Sequence, residues 1–64
     1  MFIEARERLI NLYLLQNMIV TQILDNKYAV RFVFINGETY DEEYDTENEA
    51  EDAYDGYKSE LLAV

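Results

Sequence analysis

The sequence predicts a small α+β domain in the order α-β-β-β-α, with one helix, a three-stranded antiparallel meander and a second helix packed on the sheet. Three observations predict this class. Residues 2–16 carry apolar side chains at helical spacing, residues 18–44 hold three strand-like stretches separated by turn signals, and residues 46–64 begin with a helix cap. The 64 residues are enough for one domain, and half of them are apolar, which is too many for a disordered acidic tail.

The first helix is expected over residues 2–16. Phe2, Leu9 and Tyr13 recur at helical spacing, and Leu12 widens the apolar stripe. A helix that is apolar over so much of its girth needs cover from more than one side. We therefore predict a homodimer whose interface includes Phe2, Leu9, Leu12 and Tyr13.

The three strands are expected at 18–24, 28–35 and 38–44. Residues 18–24 are rich in β-branched side chains, and residues 28–35 form the strongest strand-like stretch of the chain. Between the second and third strands, Asn36-Gly37 is typical of a two-residue type I′ turn, which needs positive φ at both positions. The middle strand is largely apolar on both faces, which is typical of a strand that is covered on both sides.

The length of this turn decides the register of the third strand. A two-residue loop places Ile35 opposite Glu38 and Arg31 opposite Glu42. The guanidinium of Arg31 would then face a carboxylate directly across the ladder. A three-residue loop with a bulge would instead swap the two faces of the third strand.

The last helix is expected to begin at Thr46. Thr46 and Glu49 have the spacing of a capping box, and carboxylates in the first turn suit the positive end of the helix dipole. The residues that form its apolar stripe are Ala50, Ala53, Tyr54, Tyr57, Leu61 and Val64.

A dense run of acid between residues 38 and 55 is the main functional signal. It holds ten carboxylates and neither Lys nor Arg, and the net charge of the chain is −9. Such density opposes folding by self-repulsion, which a cationic partner would relieve. The predicted partner-binding residues are Glu38, Tyr40, Asp41, Glu42, Glu43, Tyr44, Asp45, Glu47, Glu51, Asp52 and Asp55.

From this run we expect a binding module that takes the place of nucleic acid in the basic groove of a nucleic-acid-binding protein. Alternate residues of a strand lie about 6.6 Å apart on one face, so their carboxylates approximate a line of phosphates. Small acidic inhibitors of phages and mobile elements have this character. The alternative is a homo-oligomeric accessory protein whose acidity serves only solubility.

The composition offers few residues that could support catalysis or bind a metal ion. The chain has no Cys and no His, and Ser59 is its single serine, so a nucleophile with an activating base is not expected. Residues 41–45 are rich in oxygen ligands but lack the spacing and the glycine of an EF-hand, which predicts only weak, non-specific binding of divalent cations. We expect no enzyme activity, no metal site and no cofactor.

The location is expected to be cytoplasmic, without membrane contact. The N-terminus mixes acidic with basic residues and has no small-residue cleavage site, which is unlike a signal peptide. No apolar run reaches the roughly 18 residues that a membrane helix needs.

Residues 28–61 resemble a known pattern. The matching segments are Tyr28-Ala29-Val30-Arg31-Phe32, Asn36-Gly37, Tyr44-Asp45-Thr46-Glu47-Asn48-Glu49-Ala50 and Ala53-Tyr54-Asp55. They resemble the DNA-binding domains of plant ethylene-response factors and the arm-binding domains of phage integrases. The resemblance implies a three-stranded sheet with one packed helix, on which basic and aromatic strand residues read DNA.

This chain departs from that pattern in charge. Glu38, Asp41, Glu42 and Glu43 stand where those families carry basic residues, and Arg31 alone keeps a basic position. DNA binding needs cations that displace counterions from phosphates, so direct nucleic-acid binding is not expected here.

Overall fold

The computed structural model describes residues 1–6 and 8–63, so Val64, predicted to end the helix stripe, lies outside the described residues. Within these ranges the chain forms five strands in two sheets and one C-terminal helix. The strands are β1 (Phe2–Ala5), β2 (Arg8–Asn11), β3 (Leu15–Leu24), β4 (Lys27–Phe34) and β5 (Thr39–Tyr44), and the helix is α1 (Glu47–Leu62). The predicted α-β-β-β-α order is therefore wrong at its N-terminal end.

A β-hairpin stands where the N-terminal helix 2–16 was predicted. β1 and β2 pair antiparallel, with Ile3 opposite Ile10 and Ala5 opposite Arg8. The seven-residue spacing of Ile3 and Ile10 suits two helical turns, but it also suits two residues facing each other across a tight turn. Ile3 and Ala5 are buried while Phe2 is exposed, which is the period of two expected of a strand.

The meander is the second sheet, in the order β3-β4-β5 with both pairs antiparallel. The turn between β3 and β4 contains Asn26 at φ 63°, a conformation that Asn tolerates better than most residues. β3 has register shifts near both ends, between Leu15 and Asn17 and between Gln22 and Leu24. Between these shifts the β3–β4 ladder is regular.

The turn between β4 and β5 has three residues rather than the two that the Asn36-Gly37 signal predicted. Gly37 lies at φ 89°, its N–H donates to the carbonyl of Phe34 over 2.9 Å, and Phe34 N–H donates to the carbonyl of Glu38 over 2.9 Å. The added residue moves β5 by one position, so Arg31 faces Asp41 instead of Glu42. The register expected from a two-residue loop is therefore wrong, and the alternative of a three-residue loop, which exchanges the faces of β5, is the one observed.

The helix α1 confirms the predicted cap. Thr46 Oγ1 accepts from the N–H of Glu49 over 3.2 Å, and the Thr46 hydroxyl donates to Glu49 Oε1 over 3.1 Å. Ala50 is fully buried, which lets the helix lie close to the sheet.

The helix and the β1–β2 hairpin cover the same face of the meander. That face holds Val30 and Phe32, which are fully buried. The opposite face, which we call the open face, carries Arg31, half-buried Val33 and fully buried Ala29. The core contacts of α1 and of the hairpin lie on the Phe32 face, so the cover expected on both sides of the middle strand is seen on one side of the described chain. The buried core cluster consists of Ile3, Ala5, Ile10, Met18, Val30, Phe32 and Phe34.

Candidate interaction surfaces and a buried carboxylate

Glu42 is the one buried charged residue in the described part of the chain, with 2% of its surface exposed. The exchanged face of β5 turns it inward, beneath α1. The Tyr57 hydroxyl lies 2.9 Å from Glu42 Oε1 and 3.0 Å from Oε2, and the Tyr44 hydroxyl also donates to Oε1. A buried carboxylate needs such donors, because an unsatisfied charge in the interior is very costly.

Arg6 supplies the compensating charge from the turn of the N-terminal hairpin. Its Nε lies 3.9 Å from Glu42 Oε1, and its guanidinium carbon lies 4.3 Å from the centre of the Tyr44 ring. Arg6 has φ 33°, which is uncommon for a side chain other than glycine. We call Glu42, Tyr44, Tyr57 and Arg6 the Glu42 cluster; it joins β5, α1 and the N-terminal hairpin.

The tyrosines of the Glu42 cluster are held in their neutral, donating form. Burial, followed by the hydrogen bond to Glu42, raises the pKa of Tyr44 from 10.0 to about 12. The same two causes raise the pKa of Tyr57 even further. At neutral pH both hydroxyls therefore donate to the carboxylate. These hydrogen bonds stabilise the fold, since donors within the protein occupy the oxygens of Glu42.

Two other predicted binding residues also face inward. Tyr40 is half-buried and stacks on Phe32, with ring centres 6.0 Å apart and an interplanar angle of 20°. The guanidinium carbon of Arg8 lies 4.9 Å from the centre of the Tyr40 ring. Tyr44 is likewise half-buried and packs against the core. The structure thus places both rings inside the fold rather than among exposed carboxylates.

Asp41 and Asp45 are paired with cations. Arg31 Nε and Nη2 donate to the two oxygens of Asp41 over 2.8 and 2.9 Å. Lys27 Nζ lies 2.6 Å from Asp45 Oδ1. Each hydrogen bond lowers the pKa of the carboxyl it reaches. These two carboxylates are therefore partly compensated within the chain.

Six predicted carboxylates are exposed and form no ion pair with a described residue. Glu38 lies beside the β4–β5 turn, and Glu43 lies on the open face of the meander. The other four lie on α1, and we call them the helix acid row: Glu47, Glu51, Asp52 and Asp55. Glu47, Glu51 and Asp55 are four residues apart, so they follow one another about 6 Å along the helix axis.

The four residues predicted for a dimer interface differ in their exposure to solvent in the structure. Phe2, Leu9 and Tyr13 are 57%, 63% and 77% exposed, whereas Leu12 is half-buried against the core. Phe2 and Leu9 lie on the outer face of the hairpin, since Ile3 and Ile10 point inward from the neighbouring positions. The helix that motivated the dimer is absent, but a small exposed apolar surface remains.

Sequence reasoning missed the role of Arg6, because it placed Arg6 on a helix and Glu42 among the exposed carboxylates. The available signal was the alternation of Tyr40, Glu42 and Tyr44, which places a carboxylate between two aromatic side chains on one face of a strand. That signal becomes informative once the register of β5 is known.

No protein family model matches this chain, and no curated protein or solved structure is detectably similar to it. The resemblance to ethylene-response factor and integrase domains therefore stays a prediction. In the described ranges, no helix is long and apolar enough to cross a membrane. No group of three carboxylates among residues 1–6 and 8–63 is arranged to hold a metal ion.

Proposed function

We propose that this protein is a non-catalytic acidic binding module that occupies the cationic nucleic-acid site of a basic partner protein. The observation that supports it is the helix acid row: four exposed carboxylates, unpaired within the described chain, on a helix whose other side is anchored. Ala50, Tyr54 and Tyr57 provide that anchoring. The row is therefore presented on a regular scaffold.

The ordered helix matters because its backbone is already fixed before binding, so the entropy cost of ordering a backbone segment is not paid on association. A line of carboxylates about 6 Å apart presents negative charge at a spacing that a cationic groove built for a polyanion can accept. With a net charge of −9, association with a basic surface is steered over long range and weakens as salt rises. The same charge repels nucleic acid itself, so the module acts on the protein.

The binding set is narrower than the acidic run suggests. Glu42, Tyr40 and Tyr44 belong to the interior, and Asp41 and Asp45 are engaged by Arg31 and Lys27. The helix acid row is accordingly the main contact, with Glu43 as an exposed neighbour on the sheet. An inhibitor from a phage or mobile element, acting in the cytoplasm, is the biological setting we propose.

Affinity capture with two matched variants tests the proposal. The first variant neutralises three residues of the row with E47Q, E51Q and D55N. The second neutralises three exposed carboxylates outside the predicted binding set, with E4Q, D25N and E60Q, so both carry the same net charge of −6 (−9 + 3).

Wild-type protein should capture basic nucleic-acid-binding proteins from host lysate, and duplex DNA or added salt should release them. The row variant should lose at least about tenfold in affinity for a captured protein, a difference of about 1.4 kcal/mol, while the control variant keeps its affinity. Equal loss in both variants would mean that net charge alone acts. Capture that DNA does not displace would contradict occupation of a nucleic-acid site.

A second candidate is a self-associating accessory protein, a homodimer whose acidity serves only solubility. The exposed side chains of Phe2 and Leu9 favour it, because both lie on the outer face of the hairpin and apolar side chains that share a surface are typical of interfaces. In that case the row variant would keep its partners and lose only solubility.

A further inference from the structure

An apolar groove lies between the C-terminal half of α1 and the start of β3. Its volume is about 270 Å³, below the roughly 300–1,000 Å³ of pockets that enclose a drug-sized ligand. Because the groove is small and open to solvent, it suits one large side chain of a partner. The residues that form its walls are Leu15 and Met18 of β3 and Tyr54, Leu61 and Leu62 of α1, with Lys58 beside them.

The fold covers the walls of this groove only in part. Leu62 is 78% exposed, Tyr54 and Leu61 are half-buried, and Met18 is the most buried of the wall residues, with 7% exposed. Apolar side chains grouped around a concave surface are typical of interaction sites. The groove is therefore a place where a partner can bury apolar surface.

The groove and the helix acid row lie on the same stripe of α1. Residues seven apart in a helix lie on one side, two turns from each other and about 10.5 Å apart along the axis. Three members of the row precede three groove residues by seven positions: Glu47 precedes Tyr54, Glu51 precedes Lys58, and Asp55 precedes Leu62. A segment that fills the groove and extends toward the start of α1 therefore passes along the row.

We infer that the groove anchors a basic segment of the partner protein, with one apolar side chain in the groove and cationic side chains on the row. This inference rests on the proposed function and names the kind of segment that binds. Charge complementarity favours this occupant, because the carboxylates of the row are exposed and form no ion pair with a described residue. A second copy would bring its own charge of −9 to the row, whereas a cationic segment relieves the repulsion there. An amphipathic helix can present apolar and basic side chains on one face in this way.

Lys58 gives the bound segment a direction. It is the one cation of α1 and lies at the groove, two turns beyond Glu51. Like charges brought together at an interface disfavour binding. The cations of the segment are therefore expected toward Glu47, and the residue beside Lys58 is expected to be neutral or acidic.

Binding of a synthetic peptide tests the inference on the whole chain. The probe is an alanine-rich helix with three arginines at intervals of four residues and one phenylalanine three residues beyond the last arginine, all on one face. It is made in both sequence orders, because a helix can lie along α1 in either direction, and the tighter-binding order is used. In the control probe, alanine replaces the phenylalanine.

L62Q and L24Q are matched variants for this measurement. Both replace an exposed leucine, but Leu24 lies at the other end of β3, six residues and about 20 Å from Met18. L62Q should weaken binding of the phenylalanine probe at least about fivefold, and L24Q should change it less than about twofold. The control probe should bind wild-type and L62Q protein equally, since it has no anchor for the groove. The methyl resonance of Met18, one of two methionines, should shift with the phenylalanine probe and not with the control.

The outcomes separate this inference from the proposed function. Weaker probe binding by the variant E47Q, E51Q and D55N, with no loss in L62Q, would overturn the inference and leave the proposed function standing. Unchanged binding by both variants would contradict both. A loss in L62Q alone would mean that the groove binds apolar chains regardless of charge, which also overturns the inference. A Met18 resonance that shifts with protein concentration alone would instead place a second copy in the groove.

Discussion

Removing one hydroxyl from the Glu42 cluster should destabilise the whole fold. In Tyr57→Phe the ring keeps its edge-to-face contact with Phe32, whose centre lies 5.5 Å away, so apolar burial is preserved. The change deletes the donor that lies 2.9 and 3.0 Å from the two oxygens of Glu42, whose side chain is fully buried. A hydrogen bond to a charged group contributes about 1.5–3 kcal/mol, and we expect a loss of about 2 kcal/mol.

This loss is large for so small a domain. Domains have about 0.05–0.15 kcal/mol of stability per residue, which gives about 3–10 kcal/mol for this chain. With a urea m-value of about 1 kcal/mol/M, the unfolding midpoint should fall by about 2 M with the slope unchanged. Urea unfolding followed by circular dichroism measures both quantities.

Tyr54→Phe is the matched control for this prediction. Tyr54 lies on the same helix, is also half-buried, and its hydroxyl has no hydrogen-bond partner among the described residues. Its removal should change the free energy of unfolding by less than about 0.5 kcal/mol. Equal effects of the two substitutions would refute the reasoning.

A double-mutant cycle with Glu42→Gln isolates the contribution of charge. If the Tyr57 hydroxyl acts through the carboxylate, its removal should cost less when Glu42 is already neutral, with a coupling energy of about 1 kcal/mol. Strict additivity of the two substitutions would mean that Tyr57 stabilises the fold by another route.

Three further predictions concern pH and backbone conformation. Because the folded-state pKa of Tyr44 is raised from 10.0 to about 12, its contribution to stability is complete below pH 10 and should disappear as the pH rises through 12. In urea titrations at alkaline pH, Tyr44→Phe should therefore lose less stability over this range than the wild-type protein. The pKa of Asp41 is lowered by its hydrogen bond to Arg31, so its contribution is complete above about pH 4 and is lost on acidification, a dependence that Asp41→Asn should reduce in acid unfolding. Gly37→Ala should destabilise the fold by about 1 kcal/mol because φ is 89°, whereas Gly56→Ala inside α1 should stabilise it by about 0.5–1 kcal/mol. Neither new Cβ meets an atom within 4 Å, so backbone conformation is the main difference between the two sites. Thermal unfolding that shows the same sign for both substitutions would contradict this prediction.

The C-terminal half of the fold could be predicted from local signals. Thr46 and Glu49 specify the helix start by their own hydrogen bonds, and the strands of the meander have strong local composition. The N-terminal hairpin could not be predicted in this way. Ile3 and Ile10 lie on one side in either a helix or a hairpin. The hairpin is favoured by its packing on distant core residues such as Phe32 and Phe34, which local sequence patterns do not reveal.

Which carboxylate of β5 is buried depends on one additional residue in the turn between β4 and β5. In either register Arg31 meets a carboxylate, Glu42 in the two-residue turn and Asp41 in the observed one, so ion pairing does not select between them. The burial of Tyr40 and Tyr44 does select, because the other register would expose both rings. Sequence reasoning about the acidic run therefore found the helix acid row but assigned Glu42 to the surface.

The separation of the molecule into two sheets has a consequence for its motions. Among the described residues, β1 and β2 share no strand pairing with the meander, and they are held to it by side chains, with Arg6 at Glu42 and Ile3 and Ile10 in the core. β1 and β2 can therefore detach while the β3-β4-β5 ladder stays intact. Amide hydrogens of β1 and β2 should exchange with solvent well before those of β4, and weakening the Glu42 cluster should widen that gap.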